Sequence, residues 1–136
     1  MMQYIDTHTH IDGEEFNDDR AETIARAKAA GVSRMFVPAI DLKSIDTVLS
    51  VCRENEGYAY PMVGLRDGQH PFIAIGEVGL DYYWSREFAD EQLQAFEEQV
   101  RWSVETRLPL MIHCRKAQNE MVAVMRRYQD QLPGGV

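Results

Sequence analysis

The sequence predicts an α/β fold with a mainly parallel sheet. Short apolar runs of strand length alternate along the chain with longer stretches whose apolar residues recur at helical spacing. Gly31, Gly57 and Pro133-Gly134-Gly135 close the helical stretches, where helices commonly stop. With 136 residues, 45% hydrophobic and 26% charged, the chain has enough material for one core, so a single domain over residues 1–136 is expected.

In order, Gln3–His10 reads as a strand with Tyr4, Asp6, His8 and His10 on one side. Asp18–Ala30 is a helix candidate, and Val32–Pro38 a second strand. Between Asp41 and Glu56, Leu42, Ile45, Val48, Leu49 and Cys52 fall at helical spacing. Tyr58–Leu65 is a third strand and Phe72–Glu77 a fourth. Leu93, Phe96, Val100 and Val104 mark an amphipathic helix ending near Arg107. Leu108–Cys114 is a fifth strand. A helix over about Gln118 to Gln131 follows, with Met121, Val122, Met125 and Tyr128 as its apolar stripe, and Val136 starts another strand.

One connection breaks the pattern. Only Arg66 to Pro71 separate the third and fourth strands, whereas a parallel crossover takes about a dozen residues or more. Either the two strands form a hairpin, or a crossover helix is missing here; the neighbouring strands favour the second.

The net charge of −8 argues against broad electrostatic adhesion to nucleic acid. It leaves a nuclease open, because a metal centre is itself a local positive charge. The first residues carry no basic stretch followed by an apolar run, and no window of about 18 apolar residues occurs. Two cysteines, Cys52 and Cys114, form no spaced framework, so a reduced, cytoplasmic setting is expected. Both are expected to be buried small apolar groups.

Metal-binding side chains cluster at predicted strand ends. His8 and His10, two apart on a strand, face the same way about 6–7 Å apart and can hold one divalent ion. Glu77 follows Ile73 and Ile75, and a carboxylate on an apolar strand is costly unless paired or bound to metal. Gly76 beside it permits close approach of backbone or ligand. His113 ends the apolar run Leu110-Met111-Ile112, and Arg115, two residues on, has a fork suited to a phosphate oxygen. Asp6 is a candidate to orient an imidazole and equally to cap or hydrogen-bond the loop, and Asp81 a substrate-facing or supporting carboxylate. Tyr82, Tyr83 and Trp84 either stack on a base or pack over the sheet's end. His70, beside Pro71, reads as a loop residue. The bland alternatives are a polar turn at His8–His10, an ion-paired Glu77, a satisfied core His113 and a surface Arg115.

Asp6-Thr7-His8-Thr9-His10-Ile11-Asp12, then Ile73 to Tyr83 with Gly76-Glu77-Val78-Gly79-Leu80-Asp81 at its centre, then Gln92, Phe96 and Gln99, then Leu108 to Ala117 occur in one order. In this the sequence resembles the TatD-type metal-dependent deoxyribonucleases of the amidohydrolase-like TIM barrels. The resemblance implies a (β/α)8 TIM-barrel type of which this chain carries only the N-terminal five or six strands. It implies that His8 and His10 bind one metal, that Glu77 is catalytic and bridges two, that His113 binds the second, and that Arg115 binds substrate. It implies divalent metal ions, two of them, and hydrolysis of DNA phosphodiester bonds by activated water. Imidazole ligands favour zinc, manganese or iron, while the family is usually described as magnesium-dependent.

The chain departs from the pattern in three places. A segment of roughly one helix is absent between Gly64-Leu65 and Ile75-Gly76-Glu77; Lys116 stands where the family more often has aspartate; and the sequence stops at Gly135-Val136, where a further ligand-bearing strand begins. Two rival expectations therefore stand beside a DNase: hydrolysis of a small ester, lactone or amide, and an inactive partial barrel. A partial barrel has an open edge, which predicts self-association with a second copy.

Overall fold

The computed structural model describes residues 2–64 and 72–136. The chain falls into two compact units, Met1–Met62 and Val63–Val136.

In the first unit, β1 (Tyr4–Asp6) pairs in parallel with β2 (Val32–Ala39), with Ile5 opposite Arg34. Helix α1 (Arg20–Ala29) joins them and ends at Ala30, followed by Gly31 with φ 98°. Helix α2 (Ser44–Glu54) leads from β2 to β3 (Ala59–Val63). The amide of Met35 donates to the carbonyl of Tyr58 at 2.9 Å. Val37 and Val48 are fully buried, and Ile24, Met35, Val51 and Met62 fill the space around them. The spacing of Val48, Val51 and Cys52 explains why α2 buries that side.

In the second unit, Val63 pairs in parallel with Ile75 of β4 (Ile75–Asp81), and β4 pairs in parallel with β5 (Leu110–Arg115). The parallel pairing of Val63 with Ile75 excludes a hairpin between the third and fourth strands. The residues that connect them, 65–71, lie outside the described residues, and with them His70. Helix α3 (Ala89–Thr106) crosses from β4 to β5, and α4 (Gln118–Tyr128) follows β5. Phe96 and Val100 of α3, Leu80 of β4 and Leu110 of β5 form the centre of this core, each at most 1% exposed.

Several expected boundaries move. The first strand stops at Asp6, so Thr7 to His10 lie beyond the ladder, though Thr9 still donates its amide to Phe36 O at 3.1 Å. The fourth strand runs on to Asp81, because Val78 and Leu80 continue its buried alternation. On α4 the buried residues are Met121 and Val124, while Val122 is exposed. Tyr82 is buried, unlike Tyr83 and Trp84. Cys52 is buried as expected, but Cys114 is exposed, since it sits where β5 leaves the core. Val136 behaves as a strand start: Gly135 bridges Leu110 in parallel, and Ile112 donates to Val136 O at 2.8 Å. Among the described residues no helix is long and apolar enough to cross a membrane.

Candidate metal centre and its strand ends

In the first unit the candidate ligands stand on the turn that follows β1. Asp6 Oδ1 accepts the amide of His8 at 3.2 Å, an Asx-type contact that turns the chain out of the strand. His8 Nε2 and His10 Nε2 then lie 3.1 Å apart, with ring centroids at 5.0 Å and planes at 77°. Two imidazole nitrogens at about 2.0–2.1 Å from one tetrahedral ion are about 3.3 Å from each other. The pair therefore fits a shared cation without rearrangement.

The segment after His10 is pinned by one side chain. Arg20, opening α1, donates from Nε to Ile11 O at 2.8 Å and from Nη2 to Asp12 O, Gly13 O and Asn17 Oδ1. A planar fork with several donors suits a cluster of carbonyls that the turn leaves facing one way. Asp12 is buried inside this turn, and its Oδ1 makes no hydrogen bond. Desolvation pushes its pKa above the usual carboxylate value, opposed by a backbone hydrogen bond and by the charges of His10 and Arg20.

In the second unit the candidates stand on neighbouring strands. Glu77, Gly79 and Asp81 alternate along β4 on its less buried side. His113 of β5 lies between the two acids: Nδ1 is 3.1 Å from Glu77 Oε1, and Nε2 is 3.0 Å from Asp81 Oδ2. Asp81 also accepts the amide of Tyr83 through Oδ1 at 2.9 Å. That amide, then the hydrogen bond and charge of His113 and the charge of Arg115, hold its pKa below the ordinary value against partial desolvation. Two carboxylates facing one imidazole make a donor set of the kind that holds or supports a divalent cation.

The glycines around Glu77 have a specific purpose. A Cβ on Gly76 would come within 2.7 Å of Met111 Cβ, and one on Gly79 would run into the carbonyl oxygen of His113. Gly79 also has φ 146°. Close approach of β5 is thus what requires Gly79, and it sets His113 beside Glu77 and Asp81.

Helix α3 fixes the strand ends from behind. Gln92 accepts the Asp81 amide at 2.9 Å and donates to the Asp81 carbonyl at 3.1 Å, while Gln99 donates to Gly64 O at 2.9 Å. Phe96, fully buried, lies between them on the same helix face. Arg115 places its guanidinium 3.6 Å over the ring of Tyr83 and 5.6 Å from that of Trp84. Lys116, the departure noted in the sequence, has φ 58°, a backbone region that aspartate enters more readily than lysine.

The structure thus brings His8 to His10, and Glu77 and Asp81 to His113, with Arg115 on the adjacent aromatic pair. Arg20, Gly79 and the contact from Asp81 to His113 were not singled out from the sequence. The period-two repeat Glu77, Gly79, Asp81 is the signal that marks Asp81 as sharing a face with Glu77.

Comparison with known proteins follows this geometry. The family model described as TatD related DNase matches residues 5–71 and 65–136. The chain belongs to the TatD related DNase family. A TatD protein of Cronobacter sakazakii, named a 3′-5′ ssDNA/RNA exonuclease, is 33% identical over 149 aligned residues that include 96% of this chain and 56% of that protein. The Bacillus subtilis protein YabD, named an uncharacterized metal-dependent hydrolase, is 29% identical, covering 96% of this chain and 58% of its own length. The crystal structure of the Escherichia coli TatD homologue YjjV superposes with a TM-score of 0.80 at 27% identity, over 92% of this chain and 56% of that one. The α/β fold class, with five strands of a TIM-barrel type, is the one these TatD proteins share.

The chain spans a little over half the length of the relatives it matches. An alignment of 149 positions exceeds 96% of 136 residues by about 18 positions, roughly the size of one helix with its turns.

Proposed function

We propose that this chain carries metal-dependent hydrolase chemistry of the TatD type, directed at phosphodiester bonds of single-stranded nucleic acid. The observation that carries it is the His8–His10 pair, whose Nε2 atoms are spaced for one cation at 3.1 Å, in a member of this family. The relative named as a 3′-5′ ssDNA/RNA exonuclease supports the choice of substrate and polarity.

In this reading His8, His10, Glu77 and His113 hold two divalent ions of the magnesium, manganese or zinc class, and both units belong to one partial-barrel domain. Such ions, when bound, supply Lewis-acid charge and a water that loses its proton near neutral pH. Glu77 offers two oxygens and so serves both ions. Asp81 orients the His113 ring, Arg20 fixes the turn that carries the histidine pair, and Arg115 binds a phosphate oxygen. The free Cys52 and Cys114 accord with a reducing, cytoplasmic setting.

The test is cleavage of a labelled single-stranded oligonucleotide by the purified chain with magnesium, manganese or zinc. Metal-dependent shortening from the 3′ end, lost in His10→Ala, is expected. Hydrolysis of small esters or lactones with no action on the oligonucleotide overturns the nuclease reading in favour of the small-molecule one. No turnover of either, with metal bound, assigns the chain as an inactive partial barrel. Elution as a dimer in size-exclusion chromatography is expected if the sheet edge pairs with a second copy, and a monodisperse monomer excludes that pairing.

A further inference from the structure

We propose that Tyr83, Trp84 and Arg115 form a stacking platform for an unpaired nucleobase, held in fixed relation to His113 by Asp81. The proposal deepens the nuclease reading and rests on it for the identity of the ligand.

The segment after β4 divides its aromatic residues sharply. Tyr82 turns inward, 7% exposed, and anchors the loop by donating its hydroxyl to Ala89 O at 3.3 Å. Tyr83 and Trp84 turn outward at 48% and 79% exposure. Exposing a tryptophan to that extent forgoes most of the stabilisation its burial would supply. Yet the two rings are ordered against each other, edge to face at 4.8 Å, and the Arg115 guanidinium covers the Tyr83 face. A guanidinium stacked on a ring keeps its N–H groups in its own plane, where they can reach a phosphate at the edge of the stack.

The platform is tied to the candidate centre through one carboxylate. Asp81 receives the Tyr83 amide on Oδ1 and contacts His113 Nε2 through Oδ2. Any movement of the aromatic loop is therefore felt at His113, and a base resting on the pair is registered against the bond to be cut. Every base has a π face, so such a site accepts single strands of any sequence and rejects duplex, whose bases are already stacked. Stacking also suits a chain of net charge −8, which has little general attraction for phosphate.

Trp84 supplies its own reporter. Trp102 is the other tryptophan, so in a Trp102→Phe background the fluorescence belongs to residue 84. The experiment titrates this protein, in EDTA, with a single-stranded dodecanucleotide, its duplex, and the same strand made abasic. Saturable quenching by the single strand alone is expected; with the strand labelled and binding followed by its fluorescence anisotropy, Trp84→Ala should weaken affinity about 5- to 100-fold, the range of one lost base–aromatic stack. Trp84→Phe should restore most of the affinity. Equal quenching by the abasic strand, or none by any strand, overturns the platform.

Because no metal is present, the result is independent of turnover. Quenching without cleavage in metal-replete assays supports the platform and overturns the nuclease reading. Cleavage by a protein whose Trp84 does not respond overturns the platform and leaves the nuclease reading standing.

Discussion

The two groups of candidate ligands, one in each unit, are built in opposite ways. In the first unit, His8 and His10 stand on a turn after a three-residue strand, and the turn is held mainly by one arginine from the next helix. In the second, Glu77, Asp81 and His113 stand on two long paired strands, with glutamine side chains of α3 bonding the strand backbone. A ligand pair on a turn can adjust to a cation. A set on packed strands is preorganised, and its geometry depends on backbone contacts that tolerate no added atom.

The contrast is sharpest at two glycines. Gly79→Ala places a methyl group against the His113 carbonyl at a φ that L-residues avoid, so it should cost several kcal/mol and separate β4 from β5. Gly57, with φ 78° and nothing within 4 Å of its would-be Cβ, should tolerate alanine at a cost of about 1–2 kcal/mol. Urea unfolding curves measure both. Equal midpoints for the two variants would remove the claim that the second unit is held by close strand approach.

Arg20→Ala should come next. It deprives three carbonyls of a donor and should lower stability by about 1–3 kcal/mol. Exchange of the amides following His10 should speed up while those of β5 keep their protection. Arg20→Lys, which lacks the fork, should restore only part of the loss.

The two units should also respond to acid with opposite sign. Asp81 has a lowered pKa, so its contribution is present above the unfolded value near 3.8 and disappears as the pH falls through the lower folded value. Asp81→Asn should therefore lose more stability, relative to the parent, at pH 7 than at pH 3. Asp12 has a raised pKa, so its charged form costs stability once the pH exceeds the unfolded value, and protonation relieves that cost. Asp12→Asn should fare better against the parent at pH 7 than at pH 3. Denaturant midpoints at the two pH values decide the pair, and parallel behaviour would contradict the assignment.

The smallest effect is chemical. Cys52 is buried, and desolvation with the Asp12 charge pushes its thiol up to about 12; Cys114 is exposed. A thiol reagent should modify one cysteine quickly and the second only on unfolding. Two fast equivalents would show that the core of the first unit opens readily.

The element order and the parallel class were legible in the residues alone, and so was the short list of candidate ligands. These follow from periodicities of two and 3.6, and from polar side chains placed at the ends of apolar runs. The third-to-fourth connection was legible as irregular because a crossover has a minimum length. Where the strands end, and that Asp81 joins Glu77 at His113, emerged only from the packed strands. Those depend on contacts across the fold: the approach of β5 that demands Gly79, the contact of Asp81 with His113, and the hold of Gln92 on the Asp81 backbone. The stripe of α4 changed for the same reason, since packing against α3 and β5 buries Val124 and leaves Val122 outside. Local pattern fixes what a residue can do, and the neighbours brought by the fold fix which of those things it does.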